Sequence, residues 1–149
     1  MSHAERALRT LGMRAELEAT RLAAELRHTA ERLGAAARHE ARLVDRHEDW
    51  CEALRACLTA ATIDPRRVGE LDPRRRAAWA SLESVRRETQ ALRERDQALR
   101  RARAHAQHRE DGLRRAARSL ETAERTRRAD AAAREFEDAW NARAPGAGG

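Results

Sequence analysis

Residues 63–76 read IDPRRVGELDPRRR, and the fold turns on this stretch. It holds two of the three prolines in the chain; the third is Pro145. On either side the spacing is helical and proline is absent. IDPRR at 63–67 recurs as LDPRR at 71–75, and each copy carries the signals of a helix start. An aspartate accepts hydrogen bonds from the free N–H groups of a first helical turn. A proline just inside needs no N–H there, and its fixed φ suits the helix. Ile63 and Val68 occupy the two staple positions around the first cap. Gly69 then ends a short turn, and Asp72 with Pro73 start a second long helix. The stretch predicts a bend between two helices.

Before the bend, Ser2-His3-Ala4-Glu5 reads as a capping box. Leu8, Leu11, Ala15, Ala19, Leu22, Leu26, Ala30, Leu33 and Ala37 then follow three-or-four spacing. The stripe continues through Val44, His47, Cys51, Leu54 and Leu58. Gly12 and Gly34 weaken it, by roughly 1 kcal/mol each relative to alanine. After the bend, Ala78, Val85, Leu92, Leu99, Ala106, Leu113 and Leu120 recur every seven residues, the period of a left-handed coiled coil. Their companions, Leu82, Thr89, Asp96, Arg103, Glu110 and Ala117, include three charges, so the seam is thin. The phase shifts after Leu120, where Ala129, Ala133, Phe136 and Trp140 make a new short stripe.

A long helix with so thin a seam needs a partner, and the nearest is the other half of the chain. A bend centred near Val68 sets Leu58 against Ala78 and Trp79, Cys51 against Val85, Leu22 against Leu113, and Ala15 against Leu120. The expected fold is all-α: two long helices in an antiparallel coiled-coil hairpin with a short capped bend. Residues 1–62 form the first helix, 63–72 the bend, 73–143 the second helix and 144–149 a disordered tail, one domain in total.

Composition agrees. Charged residues are 38% of the 149, and aromatics only 3%, too few for a globular core. Abundant Ala, Arg, Glu and Leu with helical periodicity points to long helices or coiled coil. Residues 1–63 hold ten Arg and ten acidic residues, whereas 64–149 carry the whole net charge of +6. A basic second half suits an acidic partner, although acidic residues are interleaved throughout and most of the charge reads as a solvated face with i,i+4 pairs. Cys51 and Cys57 would lie about 9 Å apart along one helix, too far for a disulfide, which fits a reducing cytosol. The N-terminus has no signal-peptide pattern, and no stretch approaches the roughly 20 apolar residues of a membrane span. A cytoplasmic location is expected.

No motif for catalysis appears: there is no phosphate loop, nucleophile elbow or metal cage, and two helices offer no concave pocket. His47 and Cys51 sit at i,i+4, but no second ligand pair completes a tetrahedral metal site. The expectation is a non-enzyme without metal or cofactor. His105 and His108 lie among Arg100, Arg101, Arg103 and Arg109, a cluster suited to phosphates, but aromatics for base stacking are absent and Glu110 and Asp111 follow at once. Trp50 and Trp79 fall near the bend, Trp140 at the opposite end; large aromatics often anchor interfaces.

The capped first helix, the mid-chain break, the longer basic second helix and the ending AREFEDAWNAR together resemble the FliJ/YscO family, stalk proteins of bacterial type III secretion systems. The arginine-rich, lysine-free composition is similar to the Hrp-type members. The resemblance implies a non-catalytic, rotor-like hairpin that binds the hexameric secretion ATPase and links it to the export gate or to secretion chaperones, monomeric when free. By position, it implies that Arg127, Arg128, Arg134, Phe136 and Trp140 meet the ATPase. Trp50, Leu54, Arg74, Arg75, Trp79 and Leu82 would face the gate or a chaperone. The tyrosines common in flagellar members are missing here. Two other readings of the residues are a basic coiled coil that binds nucleic acid and a homodimeric rod with the bend opened out.

Overall fold

The computed structural model describes residues 3–143. Ser2 of the expected capping box and the expected tail at 144–149 lie outside the described residues. Two helices account for almost everything described: α1, His3–Thr59, and α2, Pro65–Arg143. No strand occurs among the described residues. The chain divides into two compact units, one of Arg21–Arg103 and one that joins the described parts of Met1–Thr20 and Ala104–Gly149.

The first aspartate–proline step caps as expected. The Arg66 N–H donates to Asp64 Oδ1 at 3.0 Å, and the Val68 N–H donates to the Asp64 carbonyl at 3.2 Å. Asp64 is therefore the N-cap of α2 and Pro65 its first residue. Ile63, the expected staple, remains about half exposed.

The second step does something different. Gly69 and Pro73 both lie inside α2, so the bend is not 63–72 but the short link between Thr59 and Pro65. An interior proline removes one backbone hydrogen bond and crowds the carbonyl four residues back, at about 3 kcal/mol. Continuing the helix brings Leu71 into the core, 5% exposed, seven residues before Ala78. Burying a leucine contributes about 1.5–3 kcal/mol, which offsets most of that cost. Asp72, freed from capping, instead accepts hydrogen bonds from Arg75 one turn on.

In the unit Arg21–Arg103 the seven-residue period holds on both helices. Leu71, Ala78, Val85, Leu92 and Leu99 of α2 are buried, with Leu82 and Thr89 beside them. On α1 the buried residues are Leu22, Thr29, Ala36 and Leu43, again every seven. The expected stripe named Ala30 and Ala37, which are exposed; the buried positions are one residue earlier. Leu43, Leu82 and Val85 pack as one cluster with Val44 against it.

Cross-helix contacts fix the pairing. Glu40 meets Arg86 at 3.1 Å, Arg32 meets Glu88 at 3.5 Å, and Glu25 meets Arg95 at 3.0 Å. Partner numbers fall along α1 as they rise along α2. Val85 therefore shares a cluster with Leu43 and Leu82, not Cys51, and Trp79 lies against His47, not Leu58. The earlier start of α2 shifts these partners with it. The other unit is thinner. Ala106 is its buried residue, Leu113 and Leu120 are half-buried, and Glu18 pairs with Arg109 at 2.8 Å. Glu5, Leu8 and Arg9 lie beside Ala117, Leu120 and Glu121. Residues 125–143 of α2 are exposed throughout.

Two substitutions test this account in chemical denaturation. Pro73→Ala raises stability by about 1–3 kcal/mol, because the proline is interior; no gain would return it to a helix start. Thr89 Oγ1 is buried without a hydrogen-bond partner, whereas Thr29 Oγ1 donates to the Glu25 carbonyl at 2.9 Å. Thr89→Val therefore gains about 1 kcal/mol, and a loss would show that the hydroxyl is satisfied.

Candidate partner-binding surfaces

Two exposed groups of side chains stand apart from the seams. The first lies within the unit Arg21–Arg103, toward the bend, with Trp50 roughly two and a half turns before the end of α1 and Trp79 about four turns into α2. Trp50 of α1 is half-buried under the guanidinium of Arg74, 5.3 Å from the ring centroid. Trp79 of α2 is 43% exposed; its ring lies 5.2 Å from His47, tilted at 48°, with Arg86 5.9 Å above it. The two tryptophans each touch the opposite helix rather than one another. Cation–π contacts at such exposed sites are worth about 0.5–1 kcal/mol, enough to orient the rings while leaving faces open.

Of the other residues expected on this surface, Leu54 is half-buried and Arg74 exposed. Arg75 is held by Asp72, with Nη2 2.9 Å from Oδ1, and Arg76 reaches the other oxygen at 2.7 Å. Leu82 does not belong here: at 2% exposed it is the most buried residue of the core. Its place four residues from Ala78 and three from Val85 puts it on the seam. The hydrogen bond from Arg75 holds the Asp72 carboxyl below the usual carboxylate range, against an opposing cost of desolvation and with help from the nearby Arg76 charge.

His47 and Cys51 do meet, with Sγ 3.6 Å from Nε2. No third ligand joins them: among the described residues no group of three His, Cys, Asp or Glu could hold a metal. Both cysteines are free thiols. In the basic cluster of α2, Arg100 is engaged by Asp96 at 2.7 Å and Arg109 by Glu18, while Arg101, Arg103, His105 and His108 are exposed.

The second surface is the stretch of α2 beyond Glu124. Phe136 and Trp140 are 69% and 66% exposed and stack on each other, centroids 6.4 Å apart and planes at 21°. Four residues apart, they share a helix face, which Ala129 and Ala133 continue. Arg128 lies 3.9 Å from Glu124; Arg127 and Arg134 are exposed. All five residues expected at this end are thus accessible, on one helical stretch without cover. Sequence reading passed over Met13 and Leu17 of α1, 61% and 71% exposed. Their positions outside the seven-residue period were the signal.

No protein-family model, curated protein or solved structure matches the chain. No described helix is long and apolar enough to cross a membrane.

The Asp72 pairing gives a pH dependence with a definite sign. A carboxyl whose folded pKa is lowered stabilises above its unfolded value, about 3.9, and loses that contribution as pH falls through the folded value. Wild type is more stable than Asp72→Asn at pH 7, and the gap closes as pH drops below about 4. A gap unchanged across that range, in denaturation titrations of both proteins, would contradict it.

Proposed function

We propose that the protein is a non-catalytic stalk of a type III secretion system. On this reading the two helices form an antiparallel coiled-coil hairpin in the cytoplasm, at the secretion apparatus. It engages the hexameric secretion ATPase through the far end of α2 and the export gate or secretion chaperones through the surface near the bend.

The observation that carries the reading is the bare stretch of α2, with Phe136 and Trp140 stacked in solvent beside Arg127 and Arg134. Two large aromatics on an uncovered helix face are costly to leave wet; burying each contributes about 1.5–3 kcal/mol. Aromatics and arginines are also the side chains that anchor protein interfaces. The seams support a framework role, since most buried side chains of the described helices lie on the seven-residue repeat. Trp50, Arg74 and Trp79 supply a second aromatic–arginine group. The ending AREFEDAWNAR, one of the four features that together carry the family resemblance, lies in the exposed stretch.

The test is co-purification with the cognate secretion ATPase and assay of ATP turnover. The full chain is retained and raises turnover. Phe136→Ala with Trp140→Ala weakens retention by at least about 100-fold, the scale of two interface anchors, whereas Leu17→Ala leaves it unchanged. No retention of the wild-type chain, with turnover unaffected, would reject the reading.

A further inference from the structure

The bare stretch of α2 has a seam of its own. Ala129, Ala133, Phe136 and Trp140 are spaced four, three and four, so Ala129 and Phe136 hold one position of a seven-residue repeat and Ala133 and Trp140 the other. In two helices packed side by side and antiparallel, residues at the first position meet residues at the second. Laid against its own copy, this seam matches. Ala129 falls opposite Trp140 of the second copy and Ala133 opposite Phe136, and the symmetry repeats both pairs. Every aromatic meets an alanine, so large side chains fill the space that small ones leave. A parallel arrangement would set Trp140 on Trp140 and alanine on alanine.

Charge points the same way. Residues 125–134 carry four arginines, Arg125, Arg127, Arg128 and Arg134, against Asp130. Residues 135–143 carry Glu135, Glu137 and Asp138 against Arg143. Antiparallel pairing lays the basic half of one copy over the acidic half of the other, whereas parallel pairing sets like over like. Ala132 and Ala139 flank one side of the seam and admit close approach. On the other side Asp130 meets Glu137 of the second copy, a contact of like charge that the symmetry makes twice.

We infer that the stretch 126–143 is a self-pairing surface, on which a second copy of this chain lies antiparallel with aromatics set against alanines. A two-fold contact of this kind is closed and uses one patch twice. The buried seam is short, so the dimer is weak and reversible, and the chain is a monomer when dilute. Pairing covers Phe136 and Trp140, the same side chains proposed to meet the ATPase, so dimer and ATPase compete for them. The inference concerns the chain alone, and its test contains no ATPase.

Sedimentation equilibrium of the full chain is run from about 5 to about 500 µM. The wild type passes from monomer to dimer within that range. Trp140→Ala weakens the dimer at least about tenfold. Glu137→Arg turns both contacts of like charge into ion pairs with Asp130 and tightens the dimer about tenfold, less at high salt. Both substituted positions are exposed, so circular dichroism shows unchanged helix content. A wild type and a Glu137→Arg variant that both stay monomeric overturn the inference. So does a dimer indifferent to Glu137→Arg, which would be parallel or built on another surface.

Discussion

Each helix has one narrow strip that gains by leaving water, and that strip recurs every seven residues. Helices of this charge content draw little stability from propensity alone. Leu22, Thr29, Ala36 and Leu43 on α1, and Leu71, Ala78, Val85, Leu92 and Leu99 on α2, are where burial stabilises the chain. Everything else adjusts to keep those strips together. Exposed ion pairs such as Glu40–Arg86 and Glu25–Arg95 contribute at most about 1 kcal/mol each, but their geometry selects the pairing. Helix α2 runs through Pro73 for the same reason, since stopping there would leave Leu71 outside the seam.

Most of this architecture was legible in the residues. The repeat from Ala78 to Leu120 needed only counting, and Asp64-Pro65 has a cap's chemistry in full. The bend was misjudged because two identical signals stood eight residues apart and both were given the same meaning. A cap reports only that a helix can start; whether it does depends on what the next turn buries. Leu71, one period ahead of Ala78, was the clue that α2 had already begun. On α1, the period was hidden because Thr29 and Ala36 are no more apolar than their neighbours. Their burial is imposed by α2, a tertiary effect that local pattern does not contain.

The candidate surfaces divide similarly. The exposure of Phe136 and Trp140 goes with the shift of phase after Leu120, which takes both off the seven-residue seam. The roles of His47 and Asp72 do not follow from sequence, because each depends on a pairing across or along the helices that only the true start of α2 sets. Its place toward the bend end puts Leu82 among the surface residues, whereas its seam position puts it in the core, where it lies. The seams hold the helices together, and several large side chains off them, Met13, Leu17, Phe136 and Trp140, stay exposed.

Intramolecular disulfide trapping tests the central claim, the pairing that brings Leu43 into one cluster with Leu82 and Val85. Leu43→Cys with Val85→Cys, in a chain whose Cys51 and Cys57 are serine, is compared with native Cys51 and Val85→Cys, Cys57 being serine. The account predicts rapid closure of the first pair within one chain and none of the second. Preferential closure of Cys51 with position 85 would put the bend near Val68 and contradict it.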